Sequence, residues 1–516
     1  MRLGIDVGGT NTDVVLLEGT SIVANDKSAT TPDVTSGIRD GIQRVLTSNP
    51  GVVIDAVVIG TTHFINAVTQ AKGLAPVASI RIATPPQDLL PLTDWPAEIS
   101  RACNGGVFVV RGGSQYDGSP INSLDEEALL VIAEQLGNEK TRHVAITATF
   151  SPLNNEAERR AAEVLLGANP NLSISISSTV GRVGILGREN ATILNEALRP
   201  LATSVIDAFT DVLSDLTGSA PVFLTSNDGT VMTLEAVQQH PIFAIGSGPT
   251  NSMRGASALC ELSDTAAAVV VDVGGTTTDI GLLQAGFPRE STIAVSLGGV
   301  RSNFRMPDVI SLGIGGGSVV DPESGTVGPA SVGYELTTKA LVFGGDTLTF
   351  SDIAVAAGFV SMGDPTAVSH LPTDLIDRAL SDVRDRINAA VEQAQLASDH
   401  VLIAVVGGGA PLIAPLVAGE VSVPTEPGSA NAVGAALAMA GGEIDRIESL
   451  AGTTREEVLD RARTDARNQA IDAGADPSTV RIVDEENIPL SHLPGGTASR
   501  IRVRAVGDII LEGALQ

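Results

Sequence analysis

Cysteine is almost missing from this chain, with only Cys103 and Cys260 among 516 residues. Two distant thiols exclude a disulfide framework, a CxxC zinc site and a four-cysteine iron–sulfur cluster. They fit a reducing cytosol, so a cytoplasmic location is expected. Aromatic residues are also scarce, at 3% of the chain, which leaves few platforms for stacking nucleobases. Basic residues are outnumbered: 32 Lys and Arg face 60 Asp and Glu, for a formal net charge of -28. Phosphate backbones are held by clustered cations, so no nucleic-acid partner is expected. The acidity serves solubility. Long hydrophobic runs are lacking too. The uncharged stretch 402–419 contains three consecutive glycines and two prolines, and reads as a buried strand and loop. The opening Met1-Arg2-Leu3-Gly4-Ile5-Asp6 meets a carboxylate before any apolar signal core can form. No membrane association is expected.

What is present is an alternation of short β-branched runs with longer helical patterns. Strands are expected at 3–5, 14–17, 57–59, 144–146, 268–271, 280–283 and 401–406. Helices are expected at 34–47, 126–136, 156–166, 188–213, 372–395 and 455–473, the fourth broken near Pro200. This alternation implies an α/β fold, and the length allows roughly three domains. An internal repeat says more. Residues 6–17 read DVGGTNTDVVLL and residues 272–283 read DVGGTTTDIGLL, with nine of twelve positions identical. Such a repeat in distant halves implies two related lobes facing each other. The expected division is a first lobe at 1–200, a second at 201–440, and a short α/β extension at 441–516 with strand-like runs near 479–483 and 500–506.

Each repeat is a strand, an Asp, two glycines and a Thr. Gly8, Gly9, Gly274 and Gly275 let the backbone turn tightly and approach a ligand without a Cβ in the way. Successive N–H groups in such a turn form an anion cradle. Thr10, Thr12, Thr276, Thr277 and Thr278 add hydroxyls that can donate to phosphate oxygens, with Asn11 beside them in the first loop. Asp6 and Asp272, at the strand ends, are the candidate ligands for Mg²⁺. A pair of plain β-hairpin turns is the simpler alternative, but a turn does not demand the same Asp and threonines twice. Neither loop fits a dinucleotide fingerprint or a Walker loop. The apolar strand 401–406 runs into Gly407-Gly408-Gly409, which allows close approach to an adenosine. The small-residue segment 428–436 reads as a close-packing hinge helix.

Two phosphate loops, an adenosine loop and a hinge helix together resemble the actin, Hsp70 and sugar-kinase superfamily, and so imply a two-lobed, actin-like (ribonuclease H-like) ATPase fold. More narrowly, the chain resembles the hydantoinase A / 5-oxoprolinase family over about residues 1–440. The further segments carrying this are Gly60-Thr61-Thr62-His63-Phe64-Ile65-Asn66-Ala67, the stretch from Phe150 to Glu158, Arg188-Glu189-Asn190-Ala191-Thr192 with Asn195, Ser247-Gly248-Pro249, and Gly315-Gly316-Gly317-Ser318. The resemblance implies ATP- and Mg²⁺-dependent opening of a cyclic amide, such as a hydantoin, 5-oxoproline or another lactam, through a phosphorylated amide. It also implies a hydantoinase B-like partner subunit and an oligomeric enzyme. The family's His-Glu is Ala157-Glu158 here, and the chain ends sooner than long family members.

Asp6, Asp272 and His63 are the candidate catalytic residues. Thr61, Thr62, Arg188, Glu189, Asp308 and Gly316 are the candidate substrate contacts. Alternatives stay open at several of these. His63 is a pocket group or a structural histidine. Arg188 and Glu189 are a helix-surface ion pair or a cleft lining. Gly315–Gly317 is a ligand loop or a simple turn. Two other functions compete: a small-molecule kinase that keeps its phosphorylated product, and a nucleotide-gated binding or reactivating protein.

Overall fold

The computed structural model describes every residue except 9–10, 30–33, 117, 140, 263–266, 285, 292–293, 396–400, 451, 491–497 and 511–516. Two sheets carry matching hairpins. In the first, the Arg2–Val7 strand pairs antiparallel with Asn11–Glu18 and parallel with Ala56–Thr61. Leu3, Ile5 and Val7 are fully buried, as are Val14–Leu16 and Val57–Ile59. Continuous apolar runs of this kind belong to strands covered on both faces. In the second, the Ala268–Val273 strand pairs antiparallel with Thr278–Gln284 and parallel with Leu402–Val406. The two arrangements are the same: a central strand with its hairpin partner on one side and a later parallel strand on the other.

Sheet membership cuts across the expected lobe borders. The first sheet has nine strands, in the order Arg481–Leu490, Ala498–Gly507, Met439–Ser449, Thr230–Thr233, Val222–Thr225, Ala56–Thr61, Arg2–Val7, Asn11–Glu18, Ser21–Ala29. Strands from beyond residue 200 therefore lie in the sheet begun by residue 2, and the 441–516 segment extends that sheet. The Arg455–Asp472 helix covers these late strands through Val458, Ala462, Ala466 and Ala470. A third sheet of four parallel strands, Asn104–Arg111, Val77–Ala83, His143–Ala148 and Ser173–Ile176, is inserted between residues 61 and 222 and has its own core.

The Ile185–Thr217 helix runs unbroken through Pro200, contrary to the break expected there. Both halves bury apolar residues in one core, Leu194 and Leu198 before the proline and Ile206 and Phe209 after it. That burial outweighs the single hydrogen bond that proline removes.

The sheets meet at two helices, Ser247–Leu259 and Ala430–Ala436. A Cβ on Gly255 would collide with the Ala430 carbonyl, and one on Gly434 with the Asn251 carbonyl. Only glycine permits these backbones to come so close, as the small-residue segment implied. Farther out, a half-buried charge network ties the late strands to earlier segments. Glu290 meets Arg182 at 2.9 Å, Arg305 at 3.0 Å and Arg502 at 2.7 Å. Although burial alone would raise it, these guanidiniums hold the Glu290 carboxyl down at about 2.

Candidate functional site

The two hairpins end in the same geometry. Asp6 lies opposite Asp13 and Val7 opposite Thr12; Asp272 lies opposite Asp279 and Val273 opposite Thr278. The Gly8 N–H donates to the Asn11 carbonyl at 3.0 Å, and the Gly274 N–H to the Thr277 carbonyl at 2.9 Å. These two N–H groups are therefore spent on closing the turns. Among the described residues, the free face of the second loop is Gly275, Thr276 and Thr277, all exposed. Thr278, expected to offer its hydroxyl to phosphate, is instead buried and donates it to the Ile314 carbonyl at 2.7 Å. Gly9 and Thr10, expected in the first loop, lie outside the described residues.

The two loops face each other closely enough for their carboxylates to interact. Asp6 is 5% exposed, and its Oδ1 meets no hydrogen-bond partner. Burial first, then the charges of Asp13 and Asp272, push its carboxyl up to about 7. Burial and the neighbouring Asp279 push Asp272 up to about 6. Sequence reasoning missed the cation here. Lys27, on the strand next to Asp13, binds both Asp13 oxygens, at 2.5 and 2.7 Å. Its charge also favours ionisation of Asp6 and Asp272.

The glycine loop after Leu402–Val406 sits directly against Asp272. Gly407 has φ +87°, and a Cβ there would collide with Asp272 Oδ1 and the Val273 carbonyl. The Gly409 N–H donates to the Val273 carbonyl at 2.8 Å. Gly408 alone faces open space, since a Cβ there would meet nothing within 4 Å. The Gly315–Gly317 turn backs the second phosphate loop: Gly316 N–H donates to the Gly274 carbonyl at 3.1 Å, and Gly317 N–H to Gly275 at 2.7 Å. Gly316 is thus placed as a support of that loop.

Thr61 and Thr62 follow the parallel strand beside Asp6. Thr62 N–H donates to the Val7 carbonyl at 3.2 Å. His63 Nδ1 lies 2.5 Å from Thr61 Oγ1, and burial lowers its pKa, which favours a neutral imidazole. Arg188 and Glu189 are both buried, and neither pairs with the other. Arg188 donates to Ser177 Oγ at 2.9 Å and the Ala148 carbonyl at 2.8 Å. Glu189 takes a two-pronged ion pair from Arg81, at 2.9 and 2.5 Å. These contacts anchor the long helix to the inserted sheet. Asp308 is ion-paired with Arg289 at 2.6 Å, beside the second hairpin.

The family model described as the hydantoinase/oxoprolinase N-terminal region matches residues 2–167, and the hydantoinase/oxoprolinase model matches residues 188–398. The chain belongs to the hydantoinase/oxoprolinase family. Both matched regions contain one of the paired hairpins. Caprolactamase subunit alpha of Pseudomonas jessenii is 26% identical over 397 residues, covering 70% of this chain and 55% of the relative. The chain thus spans about half the length of that curated relative. Among solved structures, the ATP-dependent caprolactamase from Pseudomonas jessenii aligns with a TM-score of 0.78 at 20% identity, covering 98% of this chain and 87% of that one. A nucleotide-free acetone carboxylase aligns with a TM-score of 0.70 at 17% identity, covering 99% and 88%. The likeness establishes the fold: this is an actin-like ATPase fold. No helix among the described residues is long and apolar enough to cross a membrane.

Proposed function

We propose that this chain binds ATP and Mg²⁺ between its paired Asp-Gly-Gly loops and uses them to open a cyclic amide. The observation that carries this reading is the pair of carboxylates, buried Asp6 and half-buried Asp272, at the ends of equivalent hairpins, with the charge of Asp272 acting on Asp6. A buried charge without a partner is costly. The unpartnered Asp6 Oδ1 fits a cation or its water shell. Bound Mg²⁺ would neutralise charge on phosphate oxygens, the main requirement of phosphoryl transfer. Phosphates would lie on Gly275, Thr276, Thr277 and the first loop from Gly8 to Thr12, with adenosine over Gly408. Amide activation is sensible chemistry, because an amide carbonyl is a poor electrophile until its oxygen becomes a leaving group. Thr61, Thr62 and His63, on the segment that follows the strand beside Asp6, are our candidates to meet the acceptor.

The related protein is named a caprolactamase subunit, so a lactam is the proposed substrate class, with hydantoins and 5-oxoproline as the neighbouring members. The word subunit in that name supports a companion chain; we take that companion to be hydantoinase B-like and the enzyme to be a cytoplasmic oligomer. The working unit would be one lobe on the nine-stranded sheet and one on the sheet holding the second hairpin.

The test is to incubate the chain with ATP, Mg²⁺ and a panel of lactams and hydantoins, with and without a candidate companion subunit. Phosphate release stimulated by one ring, together with its opened product, is the expected result. A stable phosphorylated metabolite would replace the proposal with a kinase.

A further inference from the structure

A second cavity, of about 920 Å³, opens where the loop before Trp95, the start of the Ile185–Thr217 helix, the 295–304 region and the late strands converge. No residue of either Asp-Gly-Gly loop lines it. Its volume lies within the range of small-molecule sites. The walls are mostly apolar, with Leu90, Leu92, Trp95, Ile185, Phe304 and Ile447. Most polar groups along it are already engaged. Trp95 Nε1 donates to Asn190 Oδ1 at 2.9 Å, Glu189 is held by Arg81, and Arg500 is ion-paired with Asp445 at 2.6 Å. Two charges are different. Arg301 and Asp94 both line the cavity and are exposed, and among the described residues neither side chain meets a partner. They do not pair with each other. The Asp94 loop is also held in an uncommon conformation, with Leu92 at φ 66° and Asp94 at φ 64°. Such backbone is sustained only when its surroundings fix it.

One apolar cavity with one unpaired cation and one unpaired anion at its edge is complementary to a particular kind of molecule. We propose that it binds a small zwitterion with an apolar middle, its carboxylate on Arg301 and its ammonium on Asp94. Free amino acids have this chemistry, and so do the ω-amino acids that ring-opened lactams yield. The second source rests on the function proposed above, whereas the binding chemistry does not.

Trp95 is the chain's only tryptophan, so its emission reports this cavity without any need for activity. The full chain is titrated with 6-aminohexanoate, with leucine, hexanoate and hexylamine as comparators. A saturable change is expected with a zwitterion, and about tenfold weaker binding for the compounds lacking one charge, as for a lost charged hydrogen bond. Arg301→Gln and Asp94→Asn should each weaken zwitterion binding by about tenfold, while the Mg·ATP melting shift stays that of the wild type. A stronger response to leucine assigns an α-amino acid, and a stronger response to 6-aminohexanoate assigns a ring-opened one. The proposal is overturned if no zwitterion changes the emission, or if both variants bind as the wild type does. It is equally overturned if Trp95 responds only to chain concentration, the mark of a protein-covered surface. Failure of lactam turnover leaves this binding test readable.

Discussion

The first and second hairpins share register and turn hydrogen bond, yet their surroundings differ. Asp13 on the first is neutralised by Lys27, while on the second Asp279 accepts from the neutral Ser311 hydroxyl at 2.5 Å and, among the described residues, has no cationic partner. The parallel neighbour of Asp6 is Gly60, leading to the Thr61–His63 segment. The parallel neighbour of Asp272 is Val406, leading to the Gly407–Gly409 loop. The second loop also rests on the Gly315–Gly317 turn. A duplicated scaffold has therefore kept its carboxylates and changed what stands beside them. The first side adds a cation, and the second adds the open backbone of the Gly407–Gly409 loop. This asymmetry fits an acceptor near Asp6 and an adenosine near Asp272.

That comparison can be broken by substitution. The largest effect is expected from Asp272→Ala, which should lower ATP turnover by on the order of 10²-fold or more, as for other lost charge-stabilising groups. Unchanged phosphate release in that variant would remove Asp272 from the metal site. Lys27→Met should have a smaller effect, about tenfold on turnover, because it removes a cation but no metal ligand. If it proved as damaging as Asp272→Ala, the first side would depend on Lys27 as heavily as on the carboxylates. The glycine loop gives the finest contrast. Gly407→Ala should destabilise by about 1–3 kcal/mol in denaturant unfolding, because its φ of +87° and its closeness to Asp272 leave no room. Gly408→Ala should change stability by less than about 0.5 kcal/mol, and instead raise the KM for ATP. Equal behaviour of the two variants would count against an adenosine over Gly408.

Much of this was legible in the sequence, because the repeat was. Two copies of an Asp-Val-Gly-Gly-Thr turn with flanking apolar runs specify two hairpins, and the register places their carboxylates identically. The close helix packing was also legible, in a segment made almost wholly of Gly, Ala, Ser and Asn. What stayed hidden depended on pairing across the chain. Lys27 matters only because the adjoining strand sets it opposite Asp13. Arg81 and Glu189 are 108 residues apart and share no local pattern. The late strands join the first sheet through partners more than 200 residues earlier, so periodicity alone reads them as a separate tail. Pro200 misled for a related reason: local propensity marks a break, while burial on both sides of it decides otherwise.

The most direct measurement is the melting temperature of the wild type and of Asp6→Asn, from about pH 4 to about pH 8, with and without Mg·ATP. The Asp6 carboxyl sits at about 7 when folded, against an ordinary 3.8. The folded state thus keeps its proton longer, and the group costs stability progressively as pH rises through that window. Without ligand, the two proteins should melt alike near the acid end, and the variant should be the more stable of the two above about pH 7. Mg·ATP should then raise the melting temperature of the wild type strongly and that of the variant little. Equal shifts in the two proteins would contradict a metal–nucleotide clamp built on Asp6 and Asp272.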